Sequence, residues 1–345
     1  MIPDLDEFSG KRFNRYVLQD KLGEGSFGTV YSAKNLDNGK LFAAKLEEKE
    51  DRVPSLMKEL QIYRRLHKRG RIPGIPRIYH YEEQDNVCVM IMDKAGDHID
   101  RDEAGRPRTL PIESVLKIAY HGLTTLEKVH EKGIIHTDLK PNNILQNPSG
   151  NSPCMCIVDF GLAKSFYEAG TKKHIEMKTN PKIEGPIVYA TVNTHDCLTP
   201  SRRDDLETFG YVLVQLFKGK LPWEKVVNEE LRECMQKFKT TSYSEWYNSY
   251  LGAVLRAYPK VGELKRNISA EDLCEGMPEI FTKYMKYVRS MVFSEKPCYD
   301  YFCDQFLATA EHLGCNILAD RRDEEEYDDT LQKELGKLGV SRLSD

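Results

Sequence analysis

Apolar and polar positions alternate over residues 16–22, and the β-prone run TVYSA follows at 29–33 after a glycine-rich break. Residues 41–47 and the continuous apolar run 87–92 have the length and composition of further strands. Between them Pro54 opens a helical pattern that runs to His67, with Leu56, Leu60 and Tyr63 on one face. Residues 72–81 carry two prolines that stop any helix, so they read as a loop and a short strand. Beyond about residue 95 the helical period takes over. Val115, Ile118, Leu123, Leu126 and Val129 recur along 111–132. Residues 201–217 begin polar and become apolar, which predicts a buried helix with Ser201 or Asp204 at its cap. Residues 224–257 predict interrupted helix, with Trp246, Tyr247, Tyr250 and Leu251 as an aromatic cluster packed in the core. Two more helices follow over 278–293 and 299–313. Strands first and helices afterwards predict an α+β chain of two lobes: a small β-rich lobe over 16–95 with one main helix, and a large, mostly helical lobe over 96–318. Residues 1–15 read as a loose polar lead-in, and 319–345 as an acidic tail with a short helical pattern.

Composition narrows the classes. Charged residues make up 30% of the 345 and hydrophobic ones 40%, which is a soluble globular balance. Fifty basic against 54 acidic residues give no bulk case for nucleic acid. The acidic N-terminus lacks the apolar core of a signal peptide, and no run approaches the roughly 20 apolar residues of a membrane span. Nine scattered cysteines suggest reduced thiols. Cys154 and Cys156, two apart on a predicted strand, are expected to be structural thiols rather than a metal pair. The expectation is a cytoplasmic protein, with the nucleus open to it, neither bound to nucleic acid nor inserted in a membrane.

The chemistry sits in two places. At 22–28 the sequence LGEGSFG spaces Gly23, Gly25 and Gly28 as GxGxxG. A dinucleotide fold would continue into a helix; here a β-prone run follows, so the glycines read as a hairpin flap. Its backbone amides can approach phosphate oxygens, with Leu22, Ser26 and Phe27 in the same flap and Val30 against a base. Lys45, on an apolar strand two residues after Ala43, needs a partner, and Glu59 on the next helix can supply it; the bland alternative is a solvent-side Glu. Met92 should stand beside the base, Asp93 and Lys94 should begin a hinge between lobes, and Leu145 should form the pocket floor. The second place is residues 135–161. IHTDLKPNNIL carries Asp138, Lys140 and Asn143, and MCIVDFG delivers Asp159 at the end of an apolar run. A carboxylate, a lysine, an amide and a second carboxylate, in that order, are the parts of phosphoryl transfer: the first orients a hydroxyl, Asn143 and Asp159 hold magnesium, and Lys140 balances the phosphate. Asp205, near a helix start, can accept backbone amides from that loop or serve merely as an N-terminal helix carboxylate. Residues 167–186, polar and aperiodic, read as the segment at the cleft mouth.

These motifs resemble the eukaryotic-type protein kinases, and more narrowly the casein kinase 1 family of serine/threonine kinases. The narrower resemblance rests on KLE at 45–47, KELQIY around Glu59, YATVNTH at 189–195, SRRDDLETFGYVL at 201–213, LPW at 221–223 and KPCYDYF at 296–302. It covers about residues 16–313. It implies a bilobal fold, ATP with Mg2+ (Mn2+ also possible) as cofactors, and Ser/Thr acceptors near acidic or phosphorylated residues. By the same resemblance Lys45 and Glu59 form the strand–helix ion pair, Asp138 is the catalytic-loop carboxylate, and the protein acts as a monomer.

Four departures qualify that picture. Thr137 stands where an Arg usually ties the loop to a phosphorylated segment. Pro186 replaces a Thr that touches the catalytic Asp and Lys. Val188 replaces an anion-contacting Arg, which predicts weakened phosphate priming. Residues 224–266 are longer than the family pattern and hold a partner or merely extend the lobe. Basic residues Arg202, Arg203, Lys172, Lys173 and Lys178 put positive charge near the acceptor cleft, or the lysines lie on a solvated loop. The competing function is a kinase-fold scaffold that binds ATP with little catalysis.

Overall fold

The computed structural model describes residues 8–25, 28–49, 54–102, 104–148, 153–179, 185–237 and 243–318. Residues 12–93 build an antiparallel sheet from β1 (Arg12–Phe13), β2 (Tyr16–Gly25), β3 (Gly28–Asn35), β4 (Leu41–Glu48), β5 (Ile78–Gln84) and β6 (Val87–Asp93), in the order β1-β2-β3-β4-β6-β5. The alternation read from the sequence sorts these strands onto two faces. Tyr31, Ala33, Ala44, Val89 and Ile91 pack in one cluster, while Ala43, Cys88, Met90 and Met92 join the main core beneath the sheet. The sheet starts earlier than the polar lead-in suggests. Phe13 is fully buried in the outer cluster and β1 pairs with Tyr16 and Val17, because one aromatic side chain outweighs its polar neighbours.

One helix, α1 (Ser55–His67), lies against β4, β5 and β6 and buries Leu56, Leu60 and Tyr63 as its periodicity requires. Its cap residue is Pro54, which offers no side-chain acceptor. Glu47 at the end of β4 supplies one instead, accepting from Ser55 N at 2.9 Å and Leu56 N at 2.6 Å. This joins β4 to α1 and carries Glu59 to Lys45.

After β6 the chain becomes mostly helical. In order come α2 (Ile112–Glu131), β7 (Ile134–Ile135), β8 (Ile144–Gln146), β9 (Met155–Ile157), β10 (Lys164–Ser165), α3 (Val192–His195), α4 (Arg202–Lys218), α5 (Glu224–Lys237), α6 (Tyr243–Asn267), α7 (Ala270–Leu273), α8 (Glu279–Ser290) and α9 (Tyr299–His312). This is the two-lobed α+β architecture read from the sequence. The amphipathic α2 and the apolar α4 pack against each other at the centre, with α9 against α2 and α8 against α4. At the start of α4 the Asp204 carboxylate accepts from the Ser201 backbone N–H at 2.8 Å. The aromatic cluster on α6 departs from its predicted core packing. Trp246 and Tyr250 stack at 5.5 Å while half-buried, and Tyr247 and Leu251 are exposed. Helix α6 turns Ala253, Ala257 and Val261 inward instead, because the small residues permit close approach. The acidic tail, residues 319–345, lies outside the described residues. All nine cysteines are free thiols. No helix among the described residues is long and apolar enough to cross a membrane.

Candidate active site

The glycine-rich stretch is a hairpin, with Gly25 paired to Gly28 across its end; Ser26 and Phe27 lie outside the described residues. Gly28 has φ +117°, and a Cβ there would stand 1.9 Å from the Leu46 carbonyl oxygen. Only glycine lets β3 return this closely over β4. Leu22 is exposed and Val30, half-buried, lies opposite Lys45 in the register. One strand further, Ala43 faces Met92, and both are buried. Asp93 turns its carboxylate to β5, accepting from Tyr79 Oη at 2.7 Å and from Arg77 Nε at 3.4 Å. The side chain is therefore committed to the sheet, and a nucleotide at this edge is left the main chain. Lys94 is half-buried beside it. Gly96 then crosses to the large lobe, donating to the Gln146 carbonyl at 2.9 Å, and Leu145 lies half-buried on β8 next to that contact.

Lys45 is buried to 6% exposure and its ammonium is shared, 2.6 Å from Glu59 Oε2 and 2.8 Å from Asp159 Oδ1. Burial works against the charge, but the two carboxylates outweigh it and hold the Lys45 pKa up at about 12. Burial likewise opposes ionisation of Asp159, and Lys45 more than compensates, so its carboxyl lies below the usual aspartate range. Glu59 is buried more deeply, and desolvation raises its carboxyl despite the lysine. Its second oxygen accepts from Phe160 N at 3.2 Å. One small-lobe glutamate thus grips both the lysine and the turn that carries Asp159, which itself has a left-handed φ of +65°.

In the catalytic-loop stretch, Asp138 is buried and Lys140 Nζ lies 2.7 Å from its Oδ2. Asn143 Nδ2 donates to the Asp138 carbonyl at 2.8 Å and to its Oδ2 at 3.1 Å, which turns the amide oxygen the other way. Beneath the loop, Asp205 accepts from His136 N at 2.7 Å, Thr137 N at 2.9 Å and His130 Nε2 at 2.8 Å. Burial pushes the Asp205 carboxyl up, but these donors and the neighbouring histidines pull it below the ordinary range. Sequence reasoning allowed this role for Asp205 but missed its helpers. His136 accepts from Asp138 N at 3.2 Å and donates from Nε2 to the Val158 carbonyl at 3.1 Å, linking the two carboxylate-bearing stretches. Thr137, at φ +64°, donates from Oγ1 to the Leu162 carbonyl at 2.7 Å. A histidine two before an aspartate was the visible signal; its partner across the turn was not.

The donor set fits a hard divalent cation. Asp159 and the outward-turned oxygen of Asn143 are both oxygen ligands. No group of three or more His, Cys, Asp or Glu side chains that could hold a metal gathers among the described residues. An ion here would complete its shell from water and phosphate oxygens, as magnesium does with a nucleotide.

On the acceptor side, residues 185–190 lie against the loop, with Gly185 fitted 3.1 Å (as a notional Cβ) from the Thr137 carbonyl oxygen. Two of the expected cations are engaged within the protein. Arg203 is buried, its guanidinium 5.8 Å from the Phe293 ring and donating to the Met291 carbonyl at 3.1 Å. Arg202 lies 4.7 Å from the Phe166 ring and donates to the Ser294 carbonyl at 2.7 Å. Both knit α4 to the end of α8, because planar guanidinium groups stack and bond at once. Lys173 pairs with Glu168 at 3.0 Å, while Lys172 and Lys178 are exposed.

A family model described as protein kinase domain matches residues 16–280. Casein kinase I homolog 2 of Schizosaccharomyces pombe is 32% identical over 293 residues, covering 84% of this chain and 61% of that protein. The chain therefore spans about three fifths of the length of that relative.

Proposed function

This chain belongs to the protein kinase domain family, and on that premise we propose that it transfers the γ-phosphate of ATP to serine and threonine hydroxyls of protein substrates. The observation that carries the reading is the shared ammonium of Lys45, held at once by Glu59 and Asp159 across the two lobes. Such a lysine is poised to meet the α- and β-phosphates of a nucleotide lying under the glycine hairpin. Ala43, Met92 and Leu145 bound the base, with Val30 above it and the main chain of Asp93 and Lys94 at its edge. Asn143 and Asp159 hold magnesium, which when bound neutralises phosphate charge. Asp138 orients the acceptor hydroxyl and takes its proton as the new O–P bond forms and ADP leaves, while Lys140 balances the charge of the moving phosphoryl group.

Acceptors are acid-directed in this reading, through the exposed Lys172 and Lys178 rather than through Arg202 or Arg203. Phosphate priming is weak, because the half-buried Val188 packs against the core and offers no donor. The protein acts as a soluble monomer in the cytoplasm or nucleus. The test is phosphate transfer to casein and to an acidic Ser peptide. Asp138→Asn and Lys45→Met should each lower transfer at least about a hundredfold. Survival of activity in both sinks the assignment, and tight Mg–ATP binding with no turnover on any peptide favours the scaffold. A peptide array with phosphorylated, Asp and neutral upstream positions tests specificity. Wild type should rank Asp close to phosphoserine, and Val188→Arg should widen the gap.

A further inference from the structure

The least explained charge in the molecule is Lys265, near the end of α6. It is fully buried, and no cleft or nucleotide contact uses it. Its Nζ donates to three main-chain carbonyls of one segment: Ile187 and Val188, each at 3.0 Å, and Ala190 at 2.6 Å. Three acceptors match the three N–H bonds of an ammonium. The charge sits 4.8 Å from the Trp223 ring and 5.3 Å from the Tyr211 ring. Aromatic faces repay part of its desolvation. Burial lowers its pKa well below the lysine range, opposed by the carboxyl of Glu207. His195 Nε2 lies 3.4 Å away. Trp223 Nε1 adds a bond of 2.7 Å to the Val188 carbonyl, and Tyr258 of the same helix donates to the Thr194 carbonyl at 2.8 Å.

The segment so held is residues 187–190, next to Gly185 at the catalytic loop. Side chains also tie it to α4: Tyr189 Oη donates to Gln215 Oε1, and Thr208 Oγ1 donates to the Tyr189 carbonyl at 3.0 Å, whereas Pro186 and Val188 offer no side-chain donor. We propose that Lys265 is a positioning residue for the phosphate acceptor, fixing the 187–190 backbone, which follows Gly185 at the Thr137 carbonyl, through its own carbonyls. This rests on the phosphotransfer reading and deepens it. The sequence-distinct 224–266 region then has a task within the catalytic domain: α6 sets the height and tilt of the surface on which the acceptor lies. Lys265 has no share in holding ATP, since Lys45, the hairpin and the base pocket are supported from other elements.

The test is steady-state kinetics of the full chain with an acidic Ser peptide and with ATP varied in turn. Lys265→Met keeps bulk but removes every donor. It should raise the acceptor KM about tenfold while the ATP KM stays within about twofold. Lys265→Arg retains charge and donors and should recover part of the loss. Should Lys265→Met fail to fold, Trp223→Phe removes the Nε1 bond to Val188 and shrinks the ring that faces Lys265 while leaving the ammonium in place. It should raise the acceptor KM about threefold with no change for ATP. An acceptor KM that stays at the wild-type value in the folded variants, or one that rises in step with the ATP KM, overturns the proposal. A wild-type protein that transfers no phosphate to the peptide overturns the underlying reading instead.

Discussion

A buried ammonium such as that of Lys45 is tolerated because two carboxylates share it, and each of the three side chains depends on the other two. Neutralising Glu59 leaves Lys45 charged and near Asp159 but no longer tied to α1. Glu59→Gln should lower kcat/KM for ATP at least about tenfold, or about 1.4 kcal/mol of transition-state stabilisation. Initial rates at saturating acceptor measure it, and an unchanged value means that the pair is absent from the active state. Thr137 makes a similar point from a smaller group. Where an Arg would wait for a phosphate, its hydroxyl already reaches the Leu162 carbonyl. Mutating Thr171 and Thr179 of 167–186 to Ala should therefore leave activity within about twofold, because no added charge is needed to order this contact. Radiometric transfer by protein purified with and without phosphatase treatment checks it.

At the scale of elements, the hairpin and α6 show how single glycines decide approach. A side chain at Gly28 would strike the Leu46 carbonyl carbon at 2.9 Å as well as its oxygen, and the residue's positive φ adds strain. Gly25 has nothing within 4 Å of its notional Cβ. Gly28→Ala should cost more than about 2 kcal/mol of stability and raise the ATP KM, whereas Gly25→Ala should cost under about 1 kcal/mol. Thermal melts of both variants, with ATP kinetics on each, decide between this ranking and one in which the glycines are equivalent. Helix α6 comes close in the same way: a Cβ at Gly262 would lie 3.0 Å from His195 Cβ, so the glycine lets the helix seat on α3. That seating also leaves His195 neutral, since burial and the charge of Lys265 push its pKa down to about 3.

For the whole molecule, Asp205 is the point where α2, α4 and the catalytic loop meet, through His130, its own helix and the His136 and Thr137 amides. Its folded pKa is depressed, so the unfolded chain binds the proton more readily. The stabilisation is therefore complete above the unfolded aspartate value of about 3.9 and is lost as pH falls toward the folded value. Asp205→Asn should lower stability at neutral pH by about 2–4 kcal/mol and flatten the acid limb of the stability curve. Denaturant unfolding from about pH 3 to 7 follows both changes, and parallel curves for variant and wild type would remove Asp205 as the source.

Local pattern sufficed for much of this protein. The change from period two to helical period marked the small sheet, α1, α2 and α4, because each element has one face to bury. Gly23, Gly25, Gly28, Asp138, Asn143 and Asp159 could be singled out because the phosphate and magnesium chemistry proposed for them constrains residue type and spacing within short stretches. Partners distant along the chain were of another kind. Glu59 could be named for Lys45 only because a buried lysine demands a carboxylate; that Asp159 shares it required the lobes to meet. Nothing local told that Arg202 and Arg203 bond the backbone at the end of α8, since a guanidinium takes charge partners and aromatic faces alike. The exposure of Tyr247 and Leu251 was equally hidden, because an aromatic run reads the same on either face of a helix. Lys265 is the clearest case. In sequence it is one cation in a charged stretch, and only packing of α6 on residues 187–195 brings three backbone carbonyls to its ammonium. Backbone acceptors carry no signature in the sequence, so a lysine that serves them is found by the fold alone.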